Sequence, residues 1–178
     1  RGDSSQHVDQ AKNQSLQDYA ISARRTSKIV TQTFSSSFSS AISLFGATIR
    51  QDIYNIYGLV RVADEIVDTY TGQDAEILLN DFEQEVYAAL KRNFSANIII
   101  HAFIETAKKY TISKDLIEPF FVSMRMDLKP ALSTQKSYDT YIYGSAEVVG
   151  LMCLRVFVQG NVTQYHKLTD GAKALGAA

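Results

Sequence analysis

The run from Ile53 to Tyr70 (IYNIYGLVRVADEIVDTY) restricts the fold more than any other part of the chain. Read as a helix, it carries one apolar row through Ile49, Ile53, Ile56, Val60, Ala63 and Val67. Another apolar row runs through Leu59, Val62 or Ala63, Ile66 and Tyr70. Apolar rows on two sides require burial on two sides. Yet a further row, Tyr57, Arg61, Asp64 and Asp68, is polar and charged. Asp64 and Asp68 form an i,i+4 pair, so their carboxylates lie one above the other on the same face. About 6 Å apart at an effective dielectric of about 20, they repel by about 3 kcal/mol. A chain that buries such a helix must bring positive charge to the seam, either from Arg61 or from a bound cation. Oxygen donors of this kind suit Mg2+, with Mn2+ as the alternative, and magnesium commonly joins one or two carboxylates to substrate phosphates. An isolated D-x-x-x-D pattern is common on solvated helix faces. The apolar flanks distinguish this one.

With 178 residues and 46% hydrophobic content, the chain has enough material for one domain with a substantial core. Only two prolines and nine glycines interrupt long stretches of helical periodicity, which points to an all-α fold. A net charge of -1 and a pI near 6.3 provide no basic field, so nucleic acid is not an expected partner. The single Cys153 lies in an apolar run and has no internal partner, which fits a reducing, cytoplasmic setting. The longest apolar stretch, Val148 to Val158, is interrupted by Arg155 and is too short for a membrane span. Residues 1–14 are polar throughout and read as a disordered or vector-derived lead-in, with no signal peptide. Residues 15–178 form the single helical domain.

A first helix is expected from Leu16 to about Thr33. The segment Thr33 to Ser40 is serine-rich like a linker, but Phe38, Ala41, Ile42 and Phe45 resume a helical stripe. Serine hydroxyls there cap a helix start, or donate to an oxyanion held at it; capping is the expectation from this segment alone. Gly46 and Gly72 bracket the central helix. Asp74 to Phe94 follows as an amphipathic helix, and Asn97 to Thr111 as another, with His101 as a packing histidine rather than a ligand. His7 and His166 are far away in sequence and have no cysteine companions, which argues against zinc. Ser113 can cap a helix that tolerates Pro119 near its start and ends at Asp127-Leu128, before Lys129-Pro130. Tyr138 to Gln159 then reads as one long apolar helix, whose Gly144 and Gly150 permit close approach of a neighbouring helix or a ligand. Gly160-Asn161 stops it, and a last helical segment begins at Tyr165.

In this order, the elements resemble those of the squalene and phytoene synthase family, the head-to-head prenyl synthases, from about Ser15 to Ala178. The family's Ser-x-Ser-Phe element is matched by Ser35-Ser36-Ser37-Phe38, and its Tyr-x-x-x-Arg-x-x-Asp-x-x-x-Asp element by Tyr57, Arg61, Asp64 and Asp68. Its late Tyr-Gly-x-Ala-x-x-Val-Gly element is matched by Tyr143 to Gly150, preceded by Asp127-Leu128 as in phytoene synthases.

That resemblance implies an all-α isoprenoid-synthase-type helical bundle around a central apolar cavity. In the family, two aspartate-rich helices face each other at the cavity mouth and bind magnesium ions that hold the diphosphate of an allylic substrate. Asp64 and Asp68 would supply the first half of that clamp. Arg61, Tyr57, Ser35 and Ser37 would bind diphosphate oxygens, while Phe38 and Tyr143 would line the prenyl channel. The implied reaction joins two prenyl diphosphates through a cyclopropylcarbinyl diphosphate. Geranylgeranyl diphosphate giving phytoene is the leading expectation, and farnesyl diphosphate giving squalene or dehydrosqualene is the alternative. Peripheral membrane contact is expected from such apolar substrates, and oligomeric state is not fixed.

Two departures stand out. Glu147 occupies a position where many relatives have glycine. The family's second aspartate-rich motif, Gln-x-x-Asn-x-x-Arg-Asp-x-x-x-Asp, follows a Leu-Gly pair; that pair is Leu175-Gly176, and the sequence ends at Ala178. The expectation is therefore a bundle truncated at its C-terminus, the N-terminal portion of a longer enzyme and inactive by itself. Two other readings compete. One is a non-catalytic, synthase-like assembly factor, which intact Asp64, Asp68 and Arg61 disfavour. The other is a helical interaction domain whose Arg61 merely pairs with the acids.

Overall fold

The apolar rows of the central segment are buried against helices on several sides, and the remaining elements are arranged to cover them. The computed structural model describes residues 3–129 and 134–177. Along them run α1 (Asp3–Phe34), α2 (Ser36–Ile42), α3 (Ala47–Asp68), α4 (Ala75–Arg92), α5 (Ile98–Lys109) and α6 (Lys114–Asp127). They are followed by α7 (Gln135–Ile142), a π-helical turn (Tyr143–Glu147), α8 (Val148–Phe157) and α9 (Val162–Ala177). Among the described residues there is no strand, and the fold is the all-α bundle expected. Helix α3 packs against α1, α4, α5, α6 and α8, and Ile53, Ile56, Leu59 and Ala63 are essentially inaccessible. Phe103, Phe120 and Phe121 are the largest side chains fully buried around it.

Local signals account for several boundaries, although Ser113 at the start of α6 makes no side-chain capping bond and turns its hydroxyl to Asp115 instead. Asn97 caps α5 by accepting from the backbone N–H groups of Ile99 (3.1 Å) and Ile100 (3.2 Å), and Lys108 and Lys109 in the last turn complement the helix dipole. Gly160 takes a φ of 77° after α8, a left-handed conformation that suits glycine. The serine-rich segment is helical rather than a linker. Ser35 caps α2, its Oγ accepting from the Phe38 N–H at 3.3 Å.

Three expectations need correction. Helix α1 starts at Asp3, so the lead-in assigned to residues 1–14 is helical from Asp3 onward. No glycine or proline stands between Asp3 and Phe34, and local bonds such as Ser15 Oγ to the Ala11 carbonyl (3.0 Å) accompany the exposed stretch. Pro119 lies inside α6, not in its first turn. The long helix assigned to Tyr138–Gln159 is divided by the π-helical turn at Tyr143–Glu147. The break proposed at Lys129-Pro130 falls partly outside the described residues, since only Lys129 is among them; α6 itself ends at Asp127 with Leu128 as its C-cap.

Gly144 sits where this turn meets α6. A Cβ built on it would lie 2.2 Å from the Pro119 carbonyl oxygen and 2.7 Å from Ser123 Cβ. The close approach inferred from Gly144 is thus an approach to α6.

A buried polar network joins α3 to α5 at the far end of α3. Asp52 accepts from Thr106 Oγ1, Lys109 Nζ and the Tyr110 hydroxyl, each at 2.8 Å. Asn55 donates to Thr106 Oγ1 at 3.0 Å, and Gln51 bridges from Asn55 (2.9 Å) to the Arg24 carbonyl of α1 (2.9 Å). Such a network fixes the relative register of three helices because each group left unpaired would bear its full desolvation cost.

Substituting Gly144→Ala is expected to destabilise the fold by about 1–3 kcal/mol in urea denaturation, because the new methyl meets backbone that cannot easily retreat. Gly171→Ala in α9, where a Cβ meets nothing within 4 Å, should instead be stabilising by about 0.5–1 kcal/mol.

Candidate active site

The polar row of α3 opens onto a cavity of about 300 Å³ lined by Tyr57, Val60, Arg61, Asp64, Asp68, Phe120, Met124, Asp127, Tyr141 and Ser145. The helical spacing of the row brings its four polar members to one face, and α6 and α7 with the π-helical turn supply the opposite wall. Carboxylates gather at the mouth, while Val60, Phe120 and Met124 give an apolar lining.

Arg61 is held on several sides. Its Nη1 donates to Asp64 Oδ2 at 3.0 Å, Nη2 donates to Glu65, and the Phe34 ring centroid lies 4.3 Å from Cζ. Its Nε is buried with no partner among the described residues. The hydrogen bond to Glu65 is the main reason that the guanidinium is held above its ordinary range. Arg61 therefore compensates Asp64 and Glu65, its i+3 and i+4 neighbours, and does not bridge Asp64 to Asp68. Asp68 is seven residues on, about 10 Å along the helix axis.

Burial pushes the Asp64 carboxyl above the usual carboxylate range; the charge of Asp68 adds to the shift, Arg61 opposes it, and Asp127 adds a smaller contribution. Asp127 is likewise raised by burial, with the Tyr141 hydroxyl acting in the opposite direction and Asp68 adding to the shift. The mouth therefore carries an uncompensated excess of negative charge. Among the described residues no three His, Cys, Asp or Glu side chains are close enough together to ligate one ion by themselves. A pair of carboxylates facing an open cavity fits magnesium, which retains waters and completes its shell with substrate phosphates.

The other expected residues are placed less uniformly. Phe38 stacks on Tyr57 with ring centroids 5.1 Å apart and an interplanar angle of 24°, so it backs a cavity-lining ring. Ser35 and Ser37 do not line the cavity: Ser35 caps α2, and Ser37 is exposed on that helix. Tyr143 is half-buried in the π-helical turn and faces α9, with Lys173 Nζ 5.5 Å from its ring centroid. Its neighbours Tyr141 and Ser145 reach the cavity instead, linked by a 2.7 Å hydrogen bond from Ser145 Oγ to the Tyr141 carbonyl. Glu147 lies in the same turn and does not line the cavity. Sequence reasoning missed Asp127, Tyr141, Ser145 and the apolar lining. Asp127 was legible only as half of an Asp-Leu pair at a helix end.

Residues 31–178 match the family model described as squalene/phytoene synthase. The chain belongs to that family. Solved squalene-type synthases share its fold. A dehydrosqualene synthase crystallised in complex with ligand is 20% identical, with a TM-score of 0.76 over 91% of this chain and 55% of that one. Squalene synthase HpnC from Alicyclobacillus acidocaldarius is 18% identical, with a TM-score of 0.74 over 88% of this chain and 59% of that one. The chain thus spans somewhat over half the length of these synthases. Among curated protein sequences none matches it. No described helix of this family member is long and apolar enough to cross a membrane.

Because the folded site raises the Asp64 pKa above its unfolded value, the ionised form lowers stability. That cost is fully present above the folded pKa and disappears as pH falls below the unfolded value. Asp64→Asn is accordingly expected to raise the Tm near pH 8, with the gain shrinking toward pH 4; thermal scans across that range provide the check.

Proposed function

We propose that the protein to which this chain belongs condenses two prenyl diphosphates head to head in a magnesium-dependent reaction. The observation that carries this reading is the juxtaposition of Asp64, Asp68 and Arg61 with an apolar lining of Val60, Phe120 and Met124 in one cavity. An allylic diphosphate has this same division: a polyanionic head that needs counter-charge and a hydrocarbon tail that needs a dry wall.

In the proposed reaction the allylic C–O bond breaks, the electron pair leaves with the diphosphate, the double bond of the second substrate captures the cation, and the resulting tertiary cation loses a proton to close the ring of the cyclopropylcarbinyl diphosphate. Asp64 and Asp68 would hold the metal, which when bound supplies the positive charge that stabilises the leaving diphosphate. Arg61, packed on Phe34 and oriented by Glu65, is preorganised to add a fixed charge beside them. Tyr57, its ring backed by the stacked Phe38, would offer an aromatic face that stabilises a passing cation without trapping it as a nucleophile would. In this reading Ser35, Ser37 and Tyr143, which lie away from the cavity here, would join the site through the remainder of the enzyme or on substrate binding.

Geranylgeranyl diphosphate converted to phytoene is our leading assignment. A second reading, farnesyl diphosphate converted to squalene or dehydrosqualene, draws support from the names of the structurally similar synthases. We further propose a cytoplasmic enzyme with peripheral membrane contact, because the substrate tails and the product are apolar.

Pyrophosphate is expected to raise the Tm of the chain only in the presence of magnesium, by several degrees at saturating concentration, and Asp64→Ala should abolish the shift. A metal-independent shift, or one unaffected by Asp64→Ala, would remove the metal-binding role from the aspartate pair.

A further inference from the structure

From Val8 to Asp18 helix α1 is exposed; Tyr19 is half-buried, and Ala23 is fully buried. At Tyr19 the helix meets the connection between α4 and α5, together with His101 of α5. The Tyr19 hydroxyl donates to the Ser95 carbonyl at 2.8 Å, and its ring packs on Phe94 and His101 with centroids 5.2 and 4.8 Å away. Phe94 and His101 are in edge contact with each other at 5.2 Å. The Ser95 N–H donates to His101 Nδ1 at 3.3 Å. Ser95 Oγ donates to Glu85 of α4 and accepts from the Asn97 N–H at 3.1 Å. Ser95 is completely buried, so water cannot replace these partners.

His101 can accept that bond only as the neutral ring with its proton on Nε2. A second proton would go to Nδ1, turn the acceptor into a donor aimed at the Ser95 N–H, and leave two buried donors without a partner. We propose that His101 is an acid-released latch that fastens the first half of α1 to the connection between α4 and α5. The surrounding charges do not favour an imidazolium. Arg24 of α1 repels it, Glu105 on α5 is paired with Arg24, Glu85 of α4 with Arg92, and Asp52 of α3 with Lys109. Burial, and then the charge of Arg24, holds the His101 ring below its ordinary range. A base depressed in this way contributes stability that is fully present above its unfolded pKa of about 6.5 and is lost as pH falls through the folded value. Beyond Ala23, α1 has other attachments: the Gln51 amide donates to the Arg24 carbonyl at 2.9 Å, and Ser27 packs on Gly58. Release is therefore confined to the first half of the helix. The latch does not depend on the substrate reading given above.

Backbone hydrogen exchange of the 178-residue chain from about pH 8 to about pH 5, corrected for the intrinsic pH dependence of exchange, provides the test. Protection in α1 up to Ala23 and across residues 93–97 should fall by up to about tenfold per pH unit below about pH 6.5, the limit for one linked proton. Amides of α1 from Ser27 onward, and those of α3, should keep their protection. His101→Asn retains an acceptor near the Nδ1 position but cannot titrate, so exchange in the same segments should no longer respond to pH, whatever its absolute level. Nitrogen NMR shifts of the wild-type ring need no variant: they should report the Nε2–H tautomer at high pH and a titration whose midpoint coincides with the loss of protection. A proton on Nδ1 at high pH, pH-independent protection in the wild-type chain, or an undiminished response in His101→Asn would overturn the latch.

Discussion

Helix α3 is enclosed along much of its length, and the cost of carrying ionised side chains on an enclosed helix decides how its neighbours are arranged. At its start the charge of Asp52 is met by Thr106, Lys109 and Tyr110, so it is fully hydrogen-bonded within the bundle. At its end the charges of Asp64 and Asp68 are met only in part, with Arg61 turned toward Asp64 and Glu65. One helix thus holds a satisfied polar site and an unsatisfied one. The first joins α1, α3 and α5. The second leaves an electrostatic demand unmet among the described residues, and the magnesium–diphosphate reading proposed above would meet it.

Close backbone approach is the other device on which the site depends. Gly144 lets the π-helical turn sit directly on Pro119 and Ser123 of α6, and Gly58 lets α3 approach Ser27 of α1, where a Cβ would lie 3.1 Å from Ser27 Oγ. The first contact brings Tyr141 and Ser145 to the wall opposite the aspartates. The second places Phe34, near the end of α1, where its ring can face Arg61. Uncharged packing contacts therefore set the aim of the charged groups.

The sequence made the fold class, the central helix and its polar row legible, because a helix places residues three and four apart on one face regardless of what surrounds it. Tyr57, Arg61, Asp64 and Asp68 could be grouped for that reason alone. Asp127 and Tyr141 could not, since neither belongs to a repeating pattern and the chain between them gives no rule for where they meet. Tyr143 illustrates the same limit from the other side. Its motif was readable, but the π-helical turn redirects it toward Lys173 and gives the cavity to Tyr141 and Ser145.

Periodicity, a local property of the backbone, determined from sequence alone that the chain is helical, that one helix is buried, and that two carboxylates share its charged face. Tertiary structure decided which acid Arg61 compensates, which tyrosine reaches the cavity, and that a third carboxylate stands across from the pair. Those outcomes depend on helix rotation and register, which are set by contacts between residues tens of positions apart, and no spacing within a single helix encodes them.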